Sequence, residues 1–460
     1  MTSINPSLVT MSKKNAFVSL FASVQLALFL LFILAATSVI GTVIPQNNVY
    51  DFYVQRYGEK TAQFFHLLDI PDMYGSWWFL GLLGLFSLNL IVCSLERIPQ
   101  VVRIYRRDNL ALTSEQLRKM GLRKEIVMNN DVEATTQQVA NLFTAQGWKA
   151  GWIDKEGGRL FAADRGGWSR FGVYVVHCSI LVILAGAVLG SPSVAEKLLH
   201  NPTFAFKGSI MLPEGQVTDH ITTFKQGAHI DLDFSLRCDD FTIEYYPNGM
   251  PKSYRSLVSI LEQGQVVRQE KIEVNQPLTY KGVTFYQSSY QPFQHYLVQI
   301  RRQQDGLENR TTIAAAEEIK WPQAGVTYGI INRESQGEVT RRLKIWLTDN
   351  QGEPATLWIN PGQETVIQRP SGAYSLLVDQ VYATGLQATK DPGVGLVYGG
   401  CLLMLVGLFV AFFLSHRRLF AFVVSEGGQC RIIFAGEANK NKVGFEKKFS
   451  EFINRLEVNS

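Results

Sequence analysis

The sequence predicts an α+β membrane protein: four transmembrane helices, a large all-β domain on the extracytoplasmic side, and a small cytoplasmic α+β loop domain. Three observations carry this. Four stretches are long and uncharged enough to span a bilayer, which takes about 20 apolar residues. Lys and Arg cluster at one set of their ends. The segment 191–393 has strand-like patterning cut by turn signals.

The first stretch, 16–43, is too long for a signal-peptide core. Pro45-Gln46 is not a small-residue cleavage site, so the stretch is read as retained. An outer loop, 44–76, follows, rich in aromatics: Tyr50, Phe52, Tyr53, Tyr57, Phe64 and Phe65. Two readings of it stay open: it lies in the membrane interface, or it packs as a helix on the β domain. The second stretch, 77–95, opens on Trp77 and Trp78, where interfacial aromatics belong.

The loop 96–170 has a basic stretch and then an α+β pattern. Lys124–Met128 is strand-like, Asp131–Gln146 helical up to Gly147, and Trp148–Trp152 and Gly158–Ala162 strand-like. The third stretch is 171–190. The segment 191–393 is long enough to bury a core of its own. Phe241–Tyr246, Tyr254–Leu261, Val283–Tyr286, Tyr296–Ile300 and Arg342–Leu347 read as strands, with turns at Pro247-Asn-Gly249 and Lys281-Gly282. A sandwich or barrel is expected. The fourth stretch is 394–414, and 415–460 is expected to be a cytoplasmic tail.

Basic residues set the expected orientation. Lys13, Lys14, Arg97, Arg103, Arg106, Arg107, Arg165, Arg170, Arg417 and Arg418 flank one set of ends. The other set has only Arg56, Lys60, Lys197 and Lys390. Both termini and the loop 96–170 are therefore expected in the cytoplasm. The net charge of +4 gives no reason to expect a nucleic-acid partner. The five cysteines form no Cys-x-x-Cys pair, and only Cys238 lies in the large outer segment. Neither a disulfide framework nor a dithiol redox centre is expected.

Of seven histidines, His177 stands apart. It lies inside the third stretch, seven residues after Arg170, at a depth of about 10 Å. An ionisable group there is costly and points to function. It suits a haem-iron or other metal ligand, a proton relay, or a hydrogen bond between helices. Asn89 lies at similar depth on the second stretch and suits a partner for the second ring nitrogen, or simple interhelical bonding. Gly186 and Gly190 lie about 180° and 220° around the helix from His177. The glycine face is expected to pack within the protein, leaving His177 toward a cavity or another subunit.

His66, in the aromatic outer loop, is a weaker candidate for approaching an outer-leaflet cofactor. His416, beside Arg417 and Arg418, reads as interfacial. His200, His220, His229 and His295 show no metal spacing. No nucleophile elbow, P-loop, dinucleotide fingerprint or zinc motif is present.

Several strings together are specific. They are Leu34-Ala-Ala-Thr-Ser-Val-Ile-Gly-Thr-Val-Ile-Pro-Gln46, Tyr74-Gly-Ser-Trp-Trp-Phe79, Ser87-Leu-Asn-Leu-Ile-Val-Cys-Ser-Leu95 and Gly172-Val-Tyr-Val-Val-His-Cys-Ser-Ile180. Tyr246-Pro-Asn-Gly-Met-Pro-Lys252, Val274-Asn-Gln-Pro-Leu-Thr-Tyr280, Phe285-Tyr-Gln-Ser-Ser-Tyr290, Asp391-Pro-Gly393 and Ser415-His-Arg-Arg418 follow in order. The chain resembles the ResB family of cytochrome c biogenesis proteins, also called CcsB, over nearly its whole length.

The resemblance implies a subunit that carries haem across the membrane and presents it for attachment to apocytochrome c. The implied cargo is haem b, held non-covalently. His177 matches the family's intramembrane histidine, a proposed axial ligand to the haem iron. The implied partners are a CcsA/ResC-type membrane protein with a tryptophan-rich loop, apocytochrome c and, less directly, a thiol-reducing thioredoxin-like protein. The chain would then be an accessory subunit of a holocytochrome c synthase with no self-contained catalytic site. The implied location is the bacterial cytoplasmic membrane, with the thylakoid also compatible. The competing reading is a scaffold that binds no haem, stabilises the partner and recruits apocytochrome c.

Overall fold

The computed structural model describes residues 16–129, 131–223, 228–247, 250–337 and 339–458. Lys13, Lys14 and the Asn248-Gly249 turn, used above, lie outside them. Among the described residues four helices are long and apolar enough to cross a membrane: Val24–Val43, Trp77–Tyr105, a segment Gly167–Leu189, and Val394–Phe413. The chain forms two compact units.

The first unit contains the four spans. The first departs from expectation, because it is not one helix from residue 16. A short helix, Ala16–Phe21, ends at Ala22, and Ser23 caps a new helix by accepting from the Gln25 N–H. The second span runs to Tyr105, ten residues past the expected end at Leu95. Its charged last turns continue the helix because Arg, Glu and Gln favour helix once the apolar stretch has ended.

The third and fourth spans approach closely through glycine. A Cβ on Gly172 would fall 2.8 Å from the Ala411 nitrogen, and one on Gly407 would fall 2.9 Å from the Val176 nitrogen. Gly186 and Gly400 are similarly filled by the facing helix. Small residues let two backbones come close where lipid offers no hydrophobic drive to associate.

The first unit also holds the small α+β domain, and residues 415–460, expected as a tail, are part of it. Residues after the fourth span form two strands, Arg417–Glu426 and Gln429–Ala438, and a helix, Lys442–Val458. Both strands enter one five-stranded sheet, in the order Leu122–Met128, Gln429–Ala438, Arg417–Glu426, Gly158–Arg165, Ala150–Lys155. Helices Val132–Ala145 and Lys442–Val458 cover one face, burying Val139, Phe143, Phe449, Phe452 and Ile453 against Ala421, Val423 and Phe434. Leu112 and Leu117 cover the other, against Leu160, Phe420, Phe422 and Ile433. A strand covered on both faces carries an unbroken apolar run, and Leu419–Val424 is one.

The second unit begins with the 45–75 loop, which forms helices Tyr50–Tyr57 and Glu59–Leu67 and a turn Ile70–Gly75. Gln46 Oε1 accepts from the Met73 N–H at 3.0 Å, and Tyr53 donates to the Pro45 carbonyl at 2.5 Å. Ser193 donates to Asp72 at 2.6 Å, and Lys197 pairs with Asp69 at 3.0 Å. The loop thus folds onto the helix Pro192–Lys197. The Pro45-Gln46 and Tyr74-Gly75 strings are structural, since a Cβ on Gly75 would collide with Ser193.

The rest of this unit is antiparallel β-structure in two lobes. Two long strands, Val283–Arg302 and Gly372–Lys390, pair along nearly their whole length. Register breaks at Gln287/Ser289 and Pro292/Tyr296 bend the ribbon. Pro292, which has no N–H to give the ladder, sits at the second of these breaks, where the ladder is already interrupted. One end packs Phe285, Leu386 and Ala388 into a core with Ile221, Leu236 and Val258. The other packs Tyr296, Val298 and Leu376 against Tyr328, Ile345 and Leu347 of a separate four-stranded sheet. The ten-stranded sheet has open ends at Glu308–Ala314 and Gln265–Glu273, so it is not a closed barrel.

Candidate functional site

His177 occurs in the middle of an apolar helix, Gly172–Leu189, with no other ionisable side chain of its own except Tyr174 and Cys178. Its face is set by the glycines: Gly172 and Gly186 hold one side of the helix against the fourth span. His177 turns to the second span instead. Its Nδ1 lies 2.9 Å from Ser94 Oγ. Ser94 Oγ in turn donates to the Leu90 carbonyl one turn back, at 2.7 Å. Tyr174 meets the imidazole edge-on, with ring centres 6.1 Å apart. The imidazole is half-buried. His177, expected to face a cavity or another subunit, contacts a neighbouring span and keeps part of the ring open.

The partner of His177 is Ser94, not Asn89. Asn89 is fully buried, and its amide donates to the carbonyls of Phe21 and Ser23 at 2.7 and 3.1 Å. These carbonyls lie at the break before the first span. A break in a membrane helix frees backbone acceptors that lipid cannot satisfy, and Asn89 supplies donors. Depth alone suggested the Asn89–His177 pairing. Rotation decides against it, since Ser94 is five residues further on, about 140° around the helix.

Arg97 lies three residues beyond Ser94, about one turn along the same helix. It is exposed and forms no ion pair among the described residues. The site therefore combines a half-buried imidazole with one nitrogen engaged and a guanidinium free to meet an anion. Sequence reasoning did not single out Ser94 and used Arg97 only to set the orientation. The i+3 spacing of Ser94 and Arg97 was the available signal.

The other histidines sort differently. His66 is exposed on the helix Glu59–Leu67 and contacts Tyr50, with ring centres 5.9 Å apart. His416, read as interfacial from its place at the end of the fourth span, is buried within the protein at 2% exposure. It accepts from Arg170 and pairs with Asp164, each at 2.8 Å. His220 and His229 come together on adjacent strands, ring centres 4.8 Å apart. Among the described residues, however, no group of three or more His, Cys, Asp and Glu forms a metal site.

The β-rich unit has a cavity of about 660 Å³ lined by Glu214, Asp239, Asp240, Asp379, Arg237 and Arg310, among others. Burial pushes the Glu214 carboxyl up, against N–H donors from Phe241 and Tyr382, and the charges of Asp240 and Asp379 push it further. Burial raises Asp379 as well.

A family model described as the ResB-like family matches residues 24–366 and 348–450. The chain is 28% identical to cytochrome c biogenesis protein CcsB of Microcystis aeruginosa, over 96% of this chain and 95% of the relative. It is 29% identical to the CcsB protein of Synechococcus sp. strain JA-3-3Ab, over 97% and 91%. It is 27% identical to cytochrome c biogenesis protein Ccs1 of Porphyra purpurea, over 95% of both.

Proposed function

This chain belongs to the ResB-like family, and on that premise we propose that it serves cytochrome c maturation as the haem-handling subunit of a membrane complex. The substrate is haem b. His177 supplies one axial nitrogen to its iron. A CcsA/ResC-type partner supplies the opposite ligand and the outer loop from which haem passes to apocytochrome c. A thioredoxin-like protein that keeps the apocytochrome thiols reduced fits beside it.

The observation that carries this reading is His177 itself: a half-buried imidazole at membrane depth with one nitrogen engaged by Ser94. Metal-bound histidines characteristically use their second nitrogen this way. Arg97 adds a cation placed to pair with a haem propionate. The basic ends of the spans, Arg97 to Arg107, Arg165, Arg170, Arg417 and Arg418, face the cytoplasm in this reading. The membrane is a bacterial inner membrane or a thylakoid. The β-rich unit then lies outside, where its charged cavity receives the partner or a basic segment of apocytochrome c.

The test is the absorption spectrum of the detergent-purified complex. His177→Ala should lose haem, and added imidazole should restore it. A second reading, a scaffold without haem, draws on the fact that Ser94 already satisfies one nitrogen of His177 as an ordinary interhelical bond would. Unchanged haem in His177→Ala would decide for the scaffold.

A further inference from the structure

We propose that Ser94 is a positioning residue that fixes the tautomer of His177 and reserves its Nε2 for the metal. The inference rests on His177 being an iron ligand, and it is decided by counting hydrogens. A serine hydroxyl has one hydrogen to give and lone pairs with which to accept. Ser94 Oγ has two partners, the Leu90 carbonyl at 2.7 Å and His177 Nδ1 at 2.9 Å. A carbonyl oxygen only accepts, so the hydroxyl hydrogen goes to Leu90. Toward His177 the hydroxyl is then an acceptor, and Nδ1 must carry the proton.

A neutral imidazole has one N–H, so Nε2 is left with its lone pair in the ring plane. That is the nitrogen a metal takes. The reverse assignment sends the Ser94 hydrogen to Nδ1. It leaves two acceptor oxygens, Ser94 Oγ and Leu90 O, 2.7 Å apart with no hydrogen between them. In a membrane no water repairs that contact.

The device is built from helix geometry rather than from a charged partner. The bond from Ser94 to the carbonyl four residues back is the usual recourse of a serine inside a helix. It needs nothing but the second span being helical. Carboxylates hold metal-bound histidines by the same logic in water-soluble sites. A serine does it here without placing a negative charge in the membrane. It also leaves the imidazole neutral, as a ligand must be.

The test uses the full chain in detergent, labelled with 15N-histidine and examined by NMR above pH 8. The His177 resonances are identified by their loss in His177→Gln. The expected result is a protonated Nδ1 and a bare Nε2 in the wild type. Ser94→Ala should move the proton to Nε2 in a large fraction of molecules, and Ser94→Thr should keep it on Nδ1. A proton on Nε2 in the wild type, or an unchanged tautomer in Ser94→Ala, overturns the proposal. In the purified complex, Ser94→Ala should weaken haem binding by about 10-fold or more, with Ser94→Thr restoring it. Haem retained in His177→Ala would defeat the ligand reading alone, since the NMR result reports on Ser94 without haem.

Discussion

Arg170 Nε lies 2.8 Å from His416 Nδ1, and this fixes what the rest of His416 does. A guanidinium only donates, so Nδ1 accepts and Nε2 carries the proton that goes to Asp164 at 2.8 Å. The chain entering the third span is thereby joined to the chain leaving the fourth. Lys440 adds a bond to the Ala411 carbonyl at the end of that span. His416→Ala leaves Arg170 and Asp164 without their shared partner. The expected cost is about 2–3 kcal/mol, read as a lower midpoint in thermal unfolding of the detergent-solubilised protein.

Glycine contacts between the third and fourth spans give a paired prediction. Gly407→Ala puts a methyl 2.9 Å from the Val176 nitrogen, a backbone atom that cannot swing aside. It should destabilise by about 1–3 kcal/mol. Gly399→Ala, on the same helix, meets nothing within 4 Å and should leave the melting temperature unchanged.

Asp349 supplies the pH dependence of the β-rich unit. Burial alone would raise its carboxyl. The Arg369 guanidinium at 2.6 Å, both donors of Ser371 and the Gln351 N–H outweigh burial and hold it well below the usual range. The unfolded carboxyl titrates near pH 3.9. The stability this group contributes is therefore complete above about pH 4 and is lost as pH falls toward the folded value. Asp349→Asn should flatten that acid limb. It should also cost on the order of 3 kcal/mol, because Arg369 stays buried without its counter-charge. Tryptophan fluorescence against denaturant at several pH values measures both.

Cys238 should be inert. Burial, then the charges of Glu214, Asp239 and Asp240, pushes its thiol up to about 12. At pH 8 almost none of it would be the thiolate that reacts. Iodoacetamide should leave Cys238 unmodified in the native protein and label it after denaturation. Labelling of the native protein would show that this lobe of the β-rich unit opens.

Much of the architecture was legible in the sequence. Apolar length found the four spans, and alternation found strands such as Arg342–Leu347, now the core of Val339–Thr348. Properties that depend on rotation or distant pairing were not legible. Asn89 and Ser94 lie at nearby depths on one helix, and only the facing partner distinguishes them. The Leu419–Val424 run lies in what was expected to be a tail. It becomes a strand only by pairing with Gly158–Arg165, far away in sequence. The burial of His416 was not legible because its partners Arg170 and Asp164 are equally remote.

The place of the Arg417–Glu426 and Gln429–Ala438 strands has a consequence for biogenesis. They sit in the middle of their sheet, between strands made before the third span. During synthesis the flanking strands wait, with edges unpaired, while the third span, the β-rich unit and the fourth span are translated and inserted. The sheet closes only if the chain returns to the side it left. A ribosome product whose fourth span fails to insert cannot supply the missing strands. Closure of this small domain therefore depends on both spans being placed, and a chain that fails it is left with open strand edges.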